Sequence, residues 1–243
     1  MRNAVVLSGL ALLAAAGSAQ AEWKGKGEAG LVFARGNSDT NNINFKLGMT
    51  EEVDQWKHSL DMAMLYVTAD GLATANRYSA AWQSDYKFNP ATFVFGGVRY
   101  DKDHFSGFNY QASATAGVGH NFADSDQLKF SAQAGVGYRR IENDGDAVNP
   151  NATSGDAIFT AGLNYENKLT DTTKVLDKFT LETGKDDTLL ANFIGVEVKM
   201  STALALSVGL DTHYNTSPPA QLPPAAPLKK LDTLTTVNLV YSF

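Results

Sequence analysis

The side chains best suited to acid–base or nucleophilic work in this chain are its four histidines, because it contains no cysteine. A nucleophilic site needs a base within hydrogen-bond reach and a third group to orient that base. His213 is the best placed, with Asp211 and Asn215 two residues to either side and Ser207 further along. In an extended chain these residues share a face, but positions two apart are separated by about 6.6 Å along the strand. That spacing predicts a polar network rather than a bonded triad. His58 and His120 alternate with apolar residues near segment ends, and His104 falls in a polar loop. No hydrolase arrangement is expected, and the chain does not read as an enzyme.

A second chemistry to consider is calcium binding by ENDGDAVNPNATSGD, which carries Glu142, Asp144, Asp146 and Asp156. A specific calcium loop sets oxygen ligands at alternating positions and closes with a bidentate glutamate. This stretch lacks that order, so it reads as a solvated acidic tip. No metal and no cofactor is expected. The proline-rich PPAQLPPAAPLKK should be stiff and extended.

The remaining charged residues follow a pattern. Lys24, Lys26, Lys46, Lys57, Arg77, Lys87, Arg99, Lys129 and Arg139, with Glu28, Asp61, Asp85, Glu166, Glu197 and Asp211, alternate with apolar neighbours. Such period-two alternation defines strands with one apolar and one polar face. Twelve segments of this kind can be counted. In GNSDTNNINFKLGMT, Ile43, Phe45, Leu47 and Met49 oppose Asn42, Asn44 and Lys46. Two segments are less clear. Around Phe93 to Asp101 both faces begin apolar, with Val94, Val98 and Tyr100 assigned to the apolar face and Arg99 opposite. From Lys174 to Glu182 the apolar parity of Val175, Phe179 and Leu181 also carries Asp177.

Alternation fits both a soluble barrel with its apolar face inward and a membrane barrel with that face outward. Three features favour the second. Segments of about ten residues, tilted, match an apolar band roughly 25 Å tall. Aromatic residues such as Trp23, Trp56, Tyr66, Tyr86, Phe122 and Tyr241 gather at the ends of the apolar parity, where membrane interfaces would lie. The polar parity holds charges in mid-strand, which a wet lumen accommodates. Connections after even-numbered segments are mostly short. Those after odd-numbered ones are long or polar and supply external-loop candidates Asn37, Asp39, Asp103, Glu142, Asp144, Asp146 and Asp156. The expected fold is all-β, a transmembrane antiparallel up-and-down β-barrel of about twelve strands. On this register Leu47→Arg should cost about 2–4 kcal/mol, whereas Asn44→Arg should be tolerated.

Residues 1–21 read as a cleaved export signal: Arg2, an apolar run from Ala4 to Ala16, and the site Ala19-Gln20-Ala21. The barrel would then occupy residues 22–243. No later stretch is apolar for the roughly 20 residues that a spanning helix needs. The chain carries 26 acidic against 20 basic residues, a formal charge of −6, which argues against a nucleic-acid partner.

The stretches AGLVFARGNSDTNNINFKLG and VRYDKDHFSGFNYQASATAGVGHNF resemble the YdiY-like family of salt-induced outer-membrane proteins, a domain family of unknown function. Asp103, Phe105 and Gly107 match its Asp-x-Phe-x-Gly spacing, and Gly117 and Gly119 its Gly-x-Gly; His120 stands where an aromatic is expected. The terminal Val-Tyr-Ser-Phe is similar to the assembly signal of outer-membrane barrels. The resemblance implies a bacterial outer-membrane location and an outer-membrane barrel. The lipid bilayer, lipopolysaccharide and the barrel-assembly machinery, acting through Phe243, would be its partners, and the chain is expected to be monomeric. It implies no catalytic residue. Two functions stay open at this stage: a narrow channel or envelope component linked to salt and osmotic adaptation, and a plugged barrel acting as scaffold or surface receptor. The expected basic excess on the inner face would favour anionic or zwitterionic solutes.

Overall fold

The structure, a computed structural model, describes residues 22–34, 40–70, 72–103, 108–143, 153–218 and 228–243. The expected leader, residues 1–21, lies outside them, as do Asn37, Asp39, His104, Asp144 and Asp146. Twelve strands form: β1 Lys24–Ala34, β2 Thr40–Val53, β3 Trp56–Ala69, β4 Leu72–Lys87, β5 Thr92–Asp103, β6 Phe108–Asp124, β7 Leu128–Asn143, β8 Thr153–Lys168, β9 Thr173–Thr183, β10 Thr188–Lys199, β11 Leu204–Asn215 and β12 Leu231–Ser242. Each pairs antiparallel with the next, and β12 returns to β1, closing a barrel.

The strands run 11 to 17 residues. A 14-residue strand such as β2 rises about 46 Å, or about 35 Å along an axis tilted near 40°, so it overshoots an apolar band of about 25 Å. Beyond the band the ladder continues through polar residues, where hydrogen bonding needs no alternation. This corrects the expected loops. Asp103 ends β5, Glu142 lies in β7 and Asp156 in β8, all inside strands.

The apolar parity faces outward. Leu31, Val98, Val118 and Val136 expose 58 to 66 % of their surface, and no soluble core would leave so many aliphatic side chains uncovered. Near one rim the connections are short: Asp54-Gln55 between β2 and β3, and Met200 to Ala203 between β10 and β11. Asp54 takes φ 53° in its two-residue turn, and aspartate tolerates that left-handed conformation better than most residues.

Just above this rim the outer aromatics form a nearly continuous ladder. Trp23 meets Trp82 at 6.0 Å, Trp82 meets His58 at 5.7 Å, His58 meets Trp56 at 5.9 Å, and Trp56 meets Tyr86 at 5.1 Å between ring centroids. His58 thus belongs to an interfacial girdle, its Nδ1 2.9 Å from Ser84 Oγ. His120 does likewise against Phe122, at 4.9 Å.

Inside, two phenylalanines explain the ambiguous fifth segment. Phe93 and Phe95 point inward and are 7 % and 4 % exposed. They lie on a groove that only glycines leave open: a Cβ on Gly119 would stand 2.1 Å from Phe93 Cζ, and one on Gly117 2.8 Å from Phe95 Cε1. Phe193 on β10 is seated the same way, 2.4 Å from a Cβ placed on Gly209. Part of the interior is therefore filled by apolar side chains, which is why both faces of the fifth segment begin apolar.

Candidate functional site: the charged lumen

The inner wall divides into two electrostatic zones. Towards the long-loop rim the cations are arginines. Arg77 on β4 donates from Nε and Nη2 to Asp103 Oδ2 at 2.8 and 2.7 Å. Arg99 on β5 grips both oxygens of Asp101, at 2.5 and 2.9 Å. Arg139 on β7 is 2 % exposed. It pairs with Asp187 in the β9–β10 connection and stands 3.9 Å from Glu182. Asp156 beside it accepts the backbone N–H of Lys185, so that connection is drawn down onto the wall. A guanidinium offers five donors in a fixed fork, suited to holding carboxylates in place.

Towards the short-turn rim the cations are lysines. Glu197 receives Lys26 at 3.1 Å and Lys174 at 3.2 Å, and Lys174 also reaches Glu166 at 3.4 Å. Lys46 bonds Asp211 at 3.1 Å and lies 4.3 Å from the centre of the Phe193 ring. Lys87 pairs with Glu52 at 2.7 Å. Asp85 accepts from Gln83, which also exchanges amide hydrogen bonds with Gln133. Among the described residues Lys24, Lys57 and Lys129 make no ion pair, although all three line the largest cavity.

His213 Nε2 stands 3.1 Å from Asp211 Oδ1. The spacing argument missed this contact because it took positions along the strand and ignored the lean of long side chains towards each other. Ser207 is 3 % exposed and bonds to neither residue. The result is a Lys46–Asp211–His213 network without a nucleophile in it.

Among the described residues, one ion pair joins opposite walls of the barrel. Lys178 on β9 meets Asp61 on β3 at 3.2 Å. Those strands are six positions apart in a ring of twelve and so face each other across the lumen. The bar they form lies on the border of two cavities. One is about 1280 Å³ and reaches Lys24, at the start of β1, and Phe243; the other is about 560 Å³ and is lined mostly by β3 to β10. Both walls include Asp61 and Lys178. Near the long-loop rim the space shrinks to pockets of about 150 and 200 Å³, walled by the arginine pairs.

The structure places Lys46, Lys57, Asp61, Arg77, Asp85, Lys87, Arg99, Lys129, Arg139, Glu166, Glu197 and Asp211 around these interior spaces. Of the loop candidates, Asp103 is 7 % exposed on the inner wall with Arg77, and Asp156 is drawn inward with the β9–β10 connection. Glu142 receives the Asn109 amide at 3.4 Å.

Sequence reasoning missed Glu52, Asp101, Lys174, Lys178, Glu182 and Asp187. The stray Asp177 obscured the polarity of β9, and Glu52, Asp101 and Asp187 stood at segment ends or in connections. Opposite-charge partners in register, as with Lys174 and Glu197, were an available signal. These acids reduce the expected basic excess: nine basic and seven acidic residues line the larger cavity.

Comparison with known proteins adds the following. The uncharacterised protein YdiY of Escherichia coli K12 is 24 % identical over 225 residues, spanning 93 % of this chain and 85 % of that protein. Among solved structures, the translocator domain of the autotransporter NalP from Neisseria meningitidis superposes with a TM-score of 0.48 at 12 % identity, over 91 % of this chain and 87 % of that one. The NanC porin gives 0.47 at 12 %, over 91 % and 98 % of the two chains. The KdgM porin gives 0.47 at 10 %, over 90 % and 99 %. Residues 27–243 match the family described as a protein of unknown function, DUF481, and the chain belongs to that family.

Proposed function

We propose that this barrel resides in a bacterial outer membrane and serves as a narrow passage for small polar solutes, with a part in salt and osmotic adaptation. The observation that carries the reading is the interior cavity of about 1280 Å³, walled by charged side chains and bordered by the exposed Lys178–Asp61 ion pair. A filled structural barrel has no need to keep Lys24, Lys57 and Lys129 unpaired in such a space. Unpaired cations over low-dielectric walls raise the local concentration of anions. The solute class is accordingly small anions or zwitterions, with mild rather than strong selection, since most wall charges are neutralised by partners.

On this reading the short-turn rim faces the periplasm and the long loops face outward, towards lipopolysaccharide. Phe243, whose backbone N–H and C=O are both engaged by Gly25 at 3.0 and 2.9 Å, would end the segment that the assembly machinery recognises. The barrel acts as a monomer.

One observation favours a second reading, a closed scaffold or surface receptor: the arginine pairs Arg77–Asp103, Arg99–Asp101 and Arg139–Asp187 crowd the external half. Single-channel recording of the refolded protein in a planar bilayer, with reversal potential across a salt gradient, separates the two. Steady openings with mild anion preference support the passage. A folded, inserted barrel that never conducts supports the closed scaffold.

A further inference from the structure

The bar between Asp61 and Lys178 differs from the other ion pairs of the inner wall. Among the described pairs it alone has both side chains more than half exposed, at 55 % and 56 %. In each of the others at least one partner is mostly covered. Asp211 is shared by Lys46 and His213, and Glu197 by Lys26 and Lys174. Among the described residues Asp61 and Lys178 form ion pairs only with each other.

The wall beside the bar leaves room for a small molecule. Asp61 is in register with Gly48 on β2 and Ala81 on β4, both small. Even a Cβ placed on Gly48 would stand 3.5 Å from Asp61 Oδ1, an ordinary contact. On the far wall Lys178 is in register with Asn164 on β8 and Phe193 on β10. Phe193 lines both cavities, so an apolar surface stands beside the ammonium.

The two cavities that meet here differ in sign. Nine basic and seven acidic residues line the larger, five basic and seven acidic the smaller. A solute of one charge is favoured on one side of the bar and disfavoured on the other. A solute bearing both charges has a favourable partner on each side. The pair itself is a weak competitor, because two solvated charges gain little from each other.

We propose that Asp61 and Lys178 are the binding site of a small zwitterion carrying an ammonium and a carboxylate group, an inference that rests on the passage reading and names its solute. The solute's ammonium donates to the Asp61 carboxylate, and its carboxylate accepts from Lys178 Nζ, so one internal pair gives way to two. The flexible four-carbon stem of Lys178 supplies the movement that insertion requires. The carbon skeleton between the two charges lies against Phe193. An anion alone takes Lys178 and leaves Asp61 unpaired, and a cation alone does the reverse. Discrimination therefore comes from the charge that a wrong solute leaves without a partner.

β-Alanine, propionate and ethylammonium are the probes, since the last two are β-alanine without its ammonium and without its carboxylate. Each is titrated at constant ionic strength against the barrel refolded in detergent micelles, with binding read by saturation-transfer NMR. The parent should prefer β-alanine to either single-charge probe by about two- to fivefold, the worth of one exposed pair. Asp61→Asn should move the preference to propionate and Lys178→Gln to ethylammonium. Exchange of the two, as Asp61→Lys with Lys178→Asp, should restore the preference for β-alanine, which then binds end for end. Misfolding does not produce this crossed pattern, and the comparison on the parent needs no variant. Equal binding of the three probes by the parent, no saturable binding of β-alanine, or a preference untouched by the substitutions overturns the site. Salt conductance recorded on the same protein keeps the two readings apart. A conducting barrel without the β-alanine preference removes the site alone, and a β-alanine-selective barrel that never conducts removes the passage alone.

Discussion

The Lys178–Asp61 bar gives the sharpest prediction about transport. Its side chains are 56 % and 55 % exposed to the lumen, and an ion pair so well solvated contributes about 0.2–1 kcal/mol. If that energy alone holds the bar shut, the intact barrel is open for about 40 % of the time at the lower figure and about 15 % at the upper. Removing either partner should then raise time-averaged conductance by about two- to sixfold. Unfolding free energy should shift by less than about 1 kcal/mol in a urea titration in lipid. Asp61→Ala leaves Lys178 unpaired, whereas Lys178→Ala leaves Asp61 unpaired. The two variants should therefore gain conductance alike, yet move the reversal potential in opposite directions, the first towards anions and the second towards cations. Exchanging the residues, as Asp61→Lys with Lys178→Asp, should restore the low conductance. The reasoning fails if both single variants conduct as the parent does, because the bar would then not separate the cavities. Reversal potentials that move together would show that these charges do not face the permeating ions.

The other expectations can be checked by titration and bilayer recording. Leu47→Arg on the outer face should cost about 2–4 kcal/mol when refolded in lipid. Ser79→Arg, on the cavity wall in register with Asp101, should be tolerated, and equal damage from both would refute the assignment of faces. Asn44, at 4 % exposure beneath Gly30, does not have the room for arginine that alternation alone suggested. Gly119→Ala should destabilise by about 1–3 kcal/mol by forcing the Phe93 ring from its seat. Phe93→Leu in the same chain should recover part of that loss, and strict additivity would show the two residues to be uncoupled. Lys57→Ala with Lys129→Ala should abolish the mild anion preference while leaving unitary conductance within the same range. An unchanged reversal potential would remove these lysines from the permeation path.

How much of this was legible in the sequence follows from what each strand meets. A segment between lipid and water must alternate, so Ile43, Phe45 and Leu47 against Asn44 and Lys46 disclose both strand and faces. Alternation loses force where a side chain meets neither medium. Phe93 and Phe95 point inward because Gly117 and Gly119 leave a groove for them, and that complementarity depends on which strands become neighbours. It fails again at strand ends beyond the apolar band, which is why Asp103, Glu142 and Asp156 read as loops although the ladder carries them.

The cross-lumen contacts were the least accessible. Asp61 and Lys178 are 117 positions apart in the chain, and only closure of the ring brings them together. A cation on the polar parity can therefore be recognised locally, but whether it is paired, and so whether it can attract a solute, is a property of the circumference. The same holds for the seam. Every interior strand owes its two partners to adjacent hairpins, while β1 and β12 meet only because the ring closes. The contacts that close the ring and cross it are thus set by the fold as a whole, and no local stretch of sequence announces them.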